Sequence, residues 1–475
     1  MGAAALVPVL ILVTTAVVIA VGGAGRAVGD RFPSAGLAWL GALVSVLACL
    51  RMWGHRLRAL GMVDADAFSL FLSLLVLFAL LLTVPVAKES LARQKLEQPA
   101  FYSLLLLSAA GMLLLVSSRH LVVIFVALET MSVGVYALTG WARDRISSLE
   151  ASVKYFFYGA FASAFFLYGI AFFYVVSGST DLAGIEAALL ARGHDLGALP
   201  VVALALLLVG FAYKIAAVPF HMWAPDAYQG APTVVTAFMA VAVKTAAFGA
   251  LLRVTGSLLT LGEEWRAVLW VVAVLSMTLG NLLAIVQDDI KRLLAYSSIA
   301  QVGYLLVGVI AGGVAGRTAA LFYLLGYSFM TFGAFAAAVA LGRRGEENLS
   351  IRSWGGLGWT HPLPGVAMSL SMLSLAGIPT TVGFVGKFYL FGSAVGEGYI
   401  ALVLIAVINT LVSVYYYLRV VMVLYMGAPV PHPGMHALGL GLRLPLLVSS
   451  LATVVLGILP GPAMALARRA ALELF

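Results

Sequence analysis

Charge is what this sequence has least of. Lys, Arg, Asp and Glu together make up 10% of its 475 residues, and no stretch is both long and polar enough to form a soluble domain. The single cysteine, Cys49, sits in an apolar run, which excludes an intrachain disulfide and a cysteine metal cluster. The 7 histidines are scattered, which speaks against haem or metal ligation. There is no Walker loop, no dinucleotide-type glycine fingerprint after a strand, no CxxC and no HExxH. A basic n-region is also missing ahead of the first apolar segment, Ala3 to Val21, so that segment reads as a retained helix and not as a cleaved signal.

What is present is apolar surface. Hydrophobic residues are 63% of the chain, and a helix needs roughly 20 of them in a row to cross a hydrocarbon core. Such runs predict about 14 transmembrane helices, near 3–23, 35–51, 67–87, 101–118, 120–140, 153–176, 200–219, 231–255, 266–286, 293–313, 317–341, 362–395, 398–425 and 443–466. The expected fold class is an all-α polytopic membrane protein. The net charge of +8 then points to loops facing anionic lipid and not to nucleic acid. Basic residues divide almost evenly between the two sets of alternate loops, with a slight excess in favour of an outside N-terminus.

Two of these spans carry breakers. The seventh reaches Pro219 and continues through His221 and Asp226 as a short second piece. The twelfth holds SLAGIPTTVGFVGKF, with Gly377, Pro379, Gly383 and Gly386 clustered in mid-span. Proline removes a backbone donor and clashes with the preceding turn, so both helices should be kinked or broken. Five spans separate them, the spacing of two tandem five-helix repeats. An odd number of spans per unit inverts the second against the first, as in inverted-repeat transporters. The division that follows is a three-helix segment over 1–100, repeats over 101–256 (helices four to eight) and 266–426 (helices nine to thirteen), and helix fourteen within 427–475.

The few interior charges are the most informative residues. Of the seven lysines, Lys154, Lys214, Lys244 and Lys387 fall inside spans, whereas nearly all arginines sit in loops or at helix ends. Among the 20 carboxylates only Glu129 lies well inside a span. A lysine at mid-bilayer costs roughly 2.5–3.5 kcal/mol on insertion scales. Arginine stays protonated at any useful pH, but a desolvated lysine can become neutral, so a group that must take and release a proton in a dry interior is better made from lysine. Glu129 can supply the opposite charge. Each residue also has a plainer reading. Glu129 could neutralise one lysine statically, and Lys154, a few residues into its span, could snorkel to the interface. Lys214 and Lys244 are too deep to snorkel easily, and Lys387 follows the break in span twelve. His221 beside Pro219 could bond freed carbonyls or serve a proton relay. Asp226 and His361 read as helix-end or interfacial residues. Tyr296, Ser297, Ser298, Gln301 and Tyr304 could carry a water wire or glue helices together.

Four segments carry a family likeness: KYFFYGAFASAFFLYGIAFFY from Lys154, YKIAAVPFHMWAPDAYQGAPT from Tyr213, DDIKRLLAYSSIAQVGYLLVG from Asp288 and SLAGIPTTVGFVGKFYLF from Ser374. Together they resemble the antiporter-like membrane subunits of respiratory complex I, and most of all those of the subunit N type. The resemblance implies fourteen core helices with helices seven and twelve broken. It makes Glu129 and Lys214 the glutamate–lysine pair of helices five and seven, Lys244 the central lysine of helix eight and Lys387 the terminal lysine of helix twelve. It implies proton translocation in the inner (plasma) membrane without a redox centre or bound cofactor in this chain. NADH, FMN, iron–sulfur clusters and quinone belong to the wider complex, and the partners are neighbouring antiporter-like and small helical subunits together with lipid. Relatives often have histidine where this sequence has Gln301, and a glutamine cannot titrate in its place. A subunit of a multi-subunit cation/proton antiporter, or of a hydrogenase-type complex, would use the same lysines with a different engine.

Overall fold

The computed structural model describes residues 4–24, 32–192, 197–258, 264–342, 349–429 and 438–474. In chain order it runs α1 (Val7–Gly23), α2 (Ser34–Met52), a hairpin of β1 (Leu57–Ala59) and β2 (Val63–Ala65), α3 (Ala67–Arg93), α4 (Pro99–Ser117), α5 (Leu121–Thr139), α6 (Ile146–Ser177), the short α7 (Leu182–Arg192), α8 (Ala198–Ile215), α9 (Trp223–Gly230), α10 (Thr233–Phe238) and α11 (Lys244–Ser257). It continues with α12 (Glu264–Ile285), α13 (Ile290–Ala311), α14 (Gly313–Ala340), the one-turn α15 (Leu357–Thr360), α16 (Pro362–Ala376), α17 (Val382–Gly396), α18 (Ile400–Met426), α19 (Leu440–Ile458) and α20 (Gly461–Leu472). Thirteen helical stretches among the described residues are long and apolar enough to cross a membrane. The pair α16–α17, each half too short alone, supplies the remaining span of the expected set.

Burial orders the spans from rim to axis. The stretch Thr233–Ser257, formed by α10, a π-helical turn over Met239–Val243 and α11, is 100% buried, and α13 is 94% buried, whereas α1 and α19 are each 28% buried. The lysine-bearing α11 is therefore walled in by protein and not by lipid. Small residues bring the helices together. A Cβ on Gly111 of α4 would lie 2.6 Å from Met131 N of α5, and one on Gly280 of α12 would lie 2.6 Å from Ala300 N of α13. Backbones this close forgo side chains for direct packing, the usual solution where lipid offers helices no hydrophobic drive to associate. At one membrane face Asp66 caps α3 in a reciprocal pair with Ser69. Asp66 also meets Arg253 of α11, with Nη1 and Nη2 donating at 3.0 and 3.1 Å.

Both predicted interruptions are present. α8 ends at Ile215 because Ala216 adopts a left-handed backbone (φ 61°), and helix resumes only at Trp223. Trp223 Nε1 donates to Tyr213 O (3.0 Å) and Val218 N to Ser276 Oγ (3.0 Å), which occupies backbone groups the break leaves over. α16 ends at Gly377 (φ 87°), and Gly383 N, at the start of α17, donates to Ser374 Oγ (3.0 Å). Two expectations shift. The first half of span seven stops before Pro219, at Ile215, and the span placed over 443–466 ends at Ile458, where Pro460 and Gly461 separate it from α20.

Candidate functional site

The first cluster lies where α5, α6 and α8 meet. Lys214, in the last turn of α8, is 2% exposed, and its Nζ donates to Ser132 Oγ at 2.7 Å. The rings of Tyr136, Tyr155 and Tyr213 stand 5.2, 5.4 and 5.9 Å from the same nitrogen. Ser132 passes its own hydrogen to Leu128 O, so in this arrangement it accepts from the lysine. Glu129 sits one turn before Ser132 and accepts from Ser163 Oγ of α6. Among the described residues Glu129 and Lys214 form no direct ion pair. A small cavity lined by Tyr136, Ser163, Tyr213 and Lys214 brings the serine partner of Glu129 and the lysine to one space. Glu129, Ser132 and Tyr136 are spaced three and four apart and so share a face of α5. That spacing was readable in the sequence and would have found the serine and the tyrosine.

The second cluster runs along α13. Lys244, directly after the π-helical turn, is 3% exposed, and its Nζ donates to Ser298 O (2.9 Å) and to Ser298 Oγ. Ser297 Oγ and Tyr417 OH of α18 are 2.5 Å apart. Gln301 Nε2 donates to Tyr417 OH (3.1 Å) and to Leu375 O (3.3 Å), and Tyr323 OH of α14 donates to Gln301 Oε1. Lys387, also 3% exposed, donates to that same Leu375 O (3.0 Å) and more weakly to Ala376 O (3.4 Å), with the Tyr304 ring 4.6 Å from its Nζ. The polar stretch of span ten is thus packed between the two lysines, and Gln301 stands at its centre with amide oxygen and nitrogen both engaged. Tyr296 is partly exposed, apart from this file.

The remaining residues take other places. Lys154 has a 40% exposed side chain and pairs with Glu150 (2.7 Å) and Asp226 (2.8 Å). Asp226 also accepts from Arg292 Nη1 (2.8 Å), so it ties α6, α9 and α13 together at the membrane edge. His221 lies in the gap between α8 and α9, with Nδ1 buried and unpartnered. His361 caps α16 beside Thr360. Arg253, 1% exposed inside α11, is an interior arginine that the loop-and-end distribution of the others does not suggest. Its partner is 187 residues away, and no local signal marks it. No group of three metal-ligating side chains occurs among the described residues.

A bundle of membrane-spanning helices, two of them interrupted, with interior lysines held by hydroxyl and carbonyl oxygens, defines a membrane ion-translocating protein of the antiporter type. Residues 118–413 match the NADH:quinone oxidoreductase/Mrp antiporter transmembrane family, and the chain belongs to that family. It is 41% identical to the NADH-quinone oxidoreductase subunit N of Trichlorobacter lovleyi over 91% of this chain and 90% of that protein. A chain of respiratory complex I from Thermus thermophilus superposes with a TM-score of 0.84 at 37% identity, covering 97% of this chain and 99% of that one. A chain of the Mrp complex from Dietzia superposes with 0.85 at 26% identity, covering 100% and 97%.

Proposed function

We infer that this chain is the proton-translocating membrane subunit, of the subunit N type, in an NADH–quinone oxidoreductase of the inner (plasma) membrane. Its partners are the other membrane subunits of that complex, and the whole is a translocase. The chain holds no redox centre. NADH, FMN, iron–sulfur clusters and quinone act in other subunits, and the drive reaches this one as a displacement at Glu129 and Lys214.

One observation carries the reading: Lys214, Lys244 and Lys387 are each at most 3% exposed, and none has an ion-pair partner among the described residues. Taking one partner from a buried ion pair leaves a stranded charge, so such pairs resist a change of protonation. Neutral oxygens do not impose that penalty. A hydroxyl accepts from an ammonium and can rotate to donate to an amine, and a carbonyl accepts from either. Each lysine can therefore load and unload without leaving a carboxylate exposed to an apolar interior. Lys154 and Asp226 sit at the inner mouth, and His221 lines the break beyond them. Protons pass to Lys214 and Lys244, then along the hydroxyls of α13 and α18 to Lys387, and leave on the side of the N-terminus. Gln301 holds the middle of that path in register and does not itself titrate.

Residues 101–256 and 266–426 form two inverted five-helix units in this reading, between a three-helix segment at 1–100 and a last segment at 427–475. Both breaks fall in the fourth span of their unit, and the close glycine contacts join the first two spans of each. The likeness to the Mrp chain favours one second reading, a subunit of a cation/proton antiporter driven by ion gradients.

The test uses the intact complex in native vesicles, reading NADH oxidation and a pH-gradient dye together. Lys214→Ala or Glu129→Ala should assemble and oxidise NADH while acidification per NADH falls. Normal acidification by an assembled variant would overturn the reading. Cation-driven proton exchange in the absence of NADH activity would move the chain to the antiporter class.

A further inference from the structure

The Lys387 end of the path is supported by a group that none of the roles above uses. Asn281 lies inside α12, fully buried. An interior amide of this kind is expensive unless every polar atom finds a partner. Its Nδ2 donates to Tyr304 OH (3.1 Å) and to Asn409 O (3.0 Å), and its Oδ1 accepts from Tyr416 OH (2.9 Å). The orientation is unambiguous, because the Asn409 carbonyl can only accept and must face the NH₂ end. One amide therefore ties α12 to α13 and to α18 at two points.

We propose that Asn281 is a positioning residue for the Lys387 site, acting by fixing the Tyr304 ring against the Lys387 ammonium. The inference rests on the proposed role of Lys387. Tyr304 has two ends. Its hydroxyl is held by Asn281, with Thr410 of α18 also in bonding reach, and its ring lies 4.6 Å from Lys387 Nζ, within the range where the ring face attracts a cation. A tyrosine anchored only by packing could turn about its χ angles, whereas one tethered at the far end presents a single face. The neighbourhood gives the ring unusual weight. Titratable groups that helices packed against α17 bring to this end are Tyr323 of α14, whose ring packs on Gly386, Tyr417 of α18, which is joined through Gln301 to the shared Leu375 carbonyl, and Tyr416 of α18 on Asn281. Among the described residues no carboxylate of any packed helix forms an ion pair with Lys387. Among the described residues the Tyr304 ring is then the one directed contribution to the charged lysine besides two backbone carbonyls.

The test compares Asn281→Leu, Tyr304→Phe and the double variant in the intact complex, reading acidification per NADH oxidised across a pH series. Tyr304→Phe keeps the ring and removes only the tethered hydroxyl, so it stands if Asn281→Leu fails to assemble. Each single variant should shift the pH profile of pumping, by up to about tenfold in proton concentration for loss of a desolvated ring–cation contact. The double variant should shift it no further than Tyr304→Phe alone, because that variant already removes the bond Asn281 makes. A profile identical to the parent in Tyr304→Phe, or shifts that add in the double variant, would overturn the proposal. Lys387→Ala separates the two levels of the argument. Normal pumping there sinks the role of Lys387 itself, whereas lost pumping beside unshifted Asn281 and Tyr304 variants sinks only the positioning role.

Discussion

Replacing Arg253 by methionine tests how the N-terminal helices are held to the lysine-bearing core. The guanidinium is 1% exposed, bonds both oxygens of Asp66, donates to Val116 O (3.2 Å) and lies 4.9 Å above the Phe68 ring. It thereby joins α11 to the start of α3 and the end of α4. Methionine keeps most of the volume and leaves Asp66 buried without its cation. Removing one member of a buried pair costs about 3–5 kcal/mol. In opening equilibria that is about a hundred-fold to several thousand-fold. The pH dependence has a definite sign. Burial pushes the Asp66 carboxyl up, but Arg253 and the Ser69 hydrogen bonds outweigh it and hold the group below the usual carboxylate value. A depressed folded value means that the pair's contribution is fully present above about pH 4 and is lost only as pH falls through that lower value. The parent therefore keeps it at pH 7.5 and at pH 5. In Arg253→Met only the Ser69 hydrogen bonds still oppose burial, so Asp66 takes up a proton more readily than in the parent as pH falls, and the penalty is relieved. Hydrogen exchange of α3 and α11 amides in the intact complex, corrected for intrinsic rates, should show the largest loss of protection at pH 7.5 and a smaller one at pH 5. Equal protection in parent and variant at pH 7.5, or a gap that widens on acidification, would refute the reasoning.

Two further outcomes follow from the geometry. Gly383→Ala should disrupt the second break, because a Cβ there would sit 1.8 Å from Ser374 O; the complex should assemble poorly or pump less per NADH, and full pumping would show that the break tolerates remodelling. Gln301→Leu should lower pumping, because Tyr323 OH loses its acceptor and an unmade buried bond costs about 1–3 kcal/mol, whereas Gln301→His, which keeps polar atoms at that place, should retain it; equal pumping by the two variants would remove Gln301 from the path.

The lysines and both interruptions were legible because lipid makes them expensive: an ammonium or a proline in a span must have a reason. The aromatic partner that α6 brings to Lys214 was not. Tyr155 is fully buried beside Lys214 while Tyr168, in the same helix, is 63% exposed. In a membrane helix the outward face is as hydrophobic as the inward one, so periodicity cannot sort the two. The serines that receive Lys214 and Lys244 were within reach, Ser132 by its spacing from Glu129 and Ser298 in the polar stretch of span ten. Lys154 shows the opposite case. Its place near a span end left snorkelling and function both open, and the structure puts it on Asp226 and Glu150 with a 40% exposed side chain. Asp66 and Arg253 are far apart in sequence, and each alone looks like a helix-end residue.

The carbonyl of Leu375 serves Gln301 and Lys387 at once. It belongs to the main chain, so no replacement of the Leu375 side chain deletes it. A scan that truncates side chains one by one would read this junction only through its two donors, Gln301 and Lys387, and never through the residue that owns the acceptor. The carbonyl itself yields only to changes that move the end of α16 as a body. The central amide and the last lysine therefore share an anchor that is silent to any replacement at position 375.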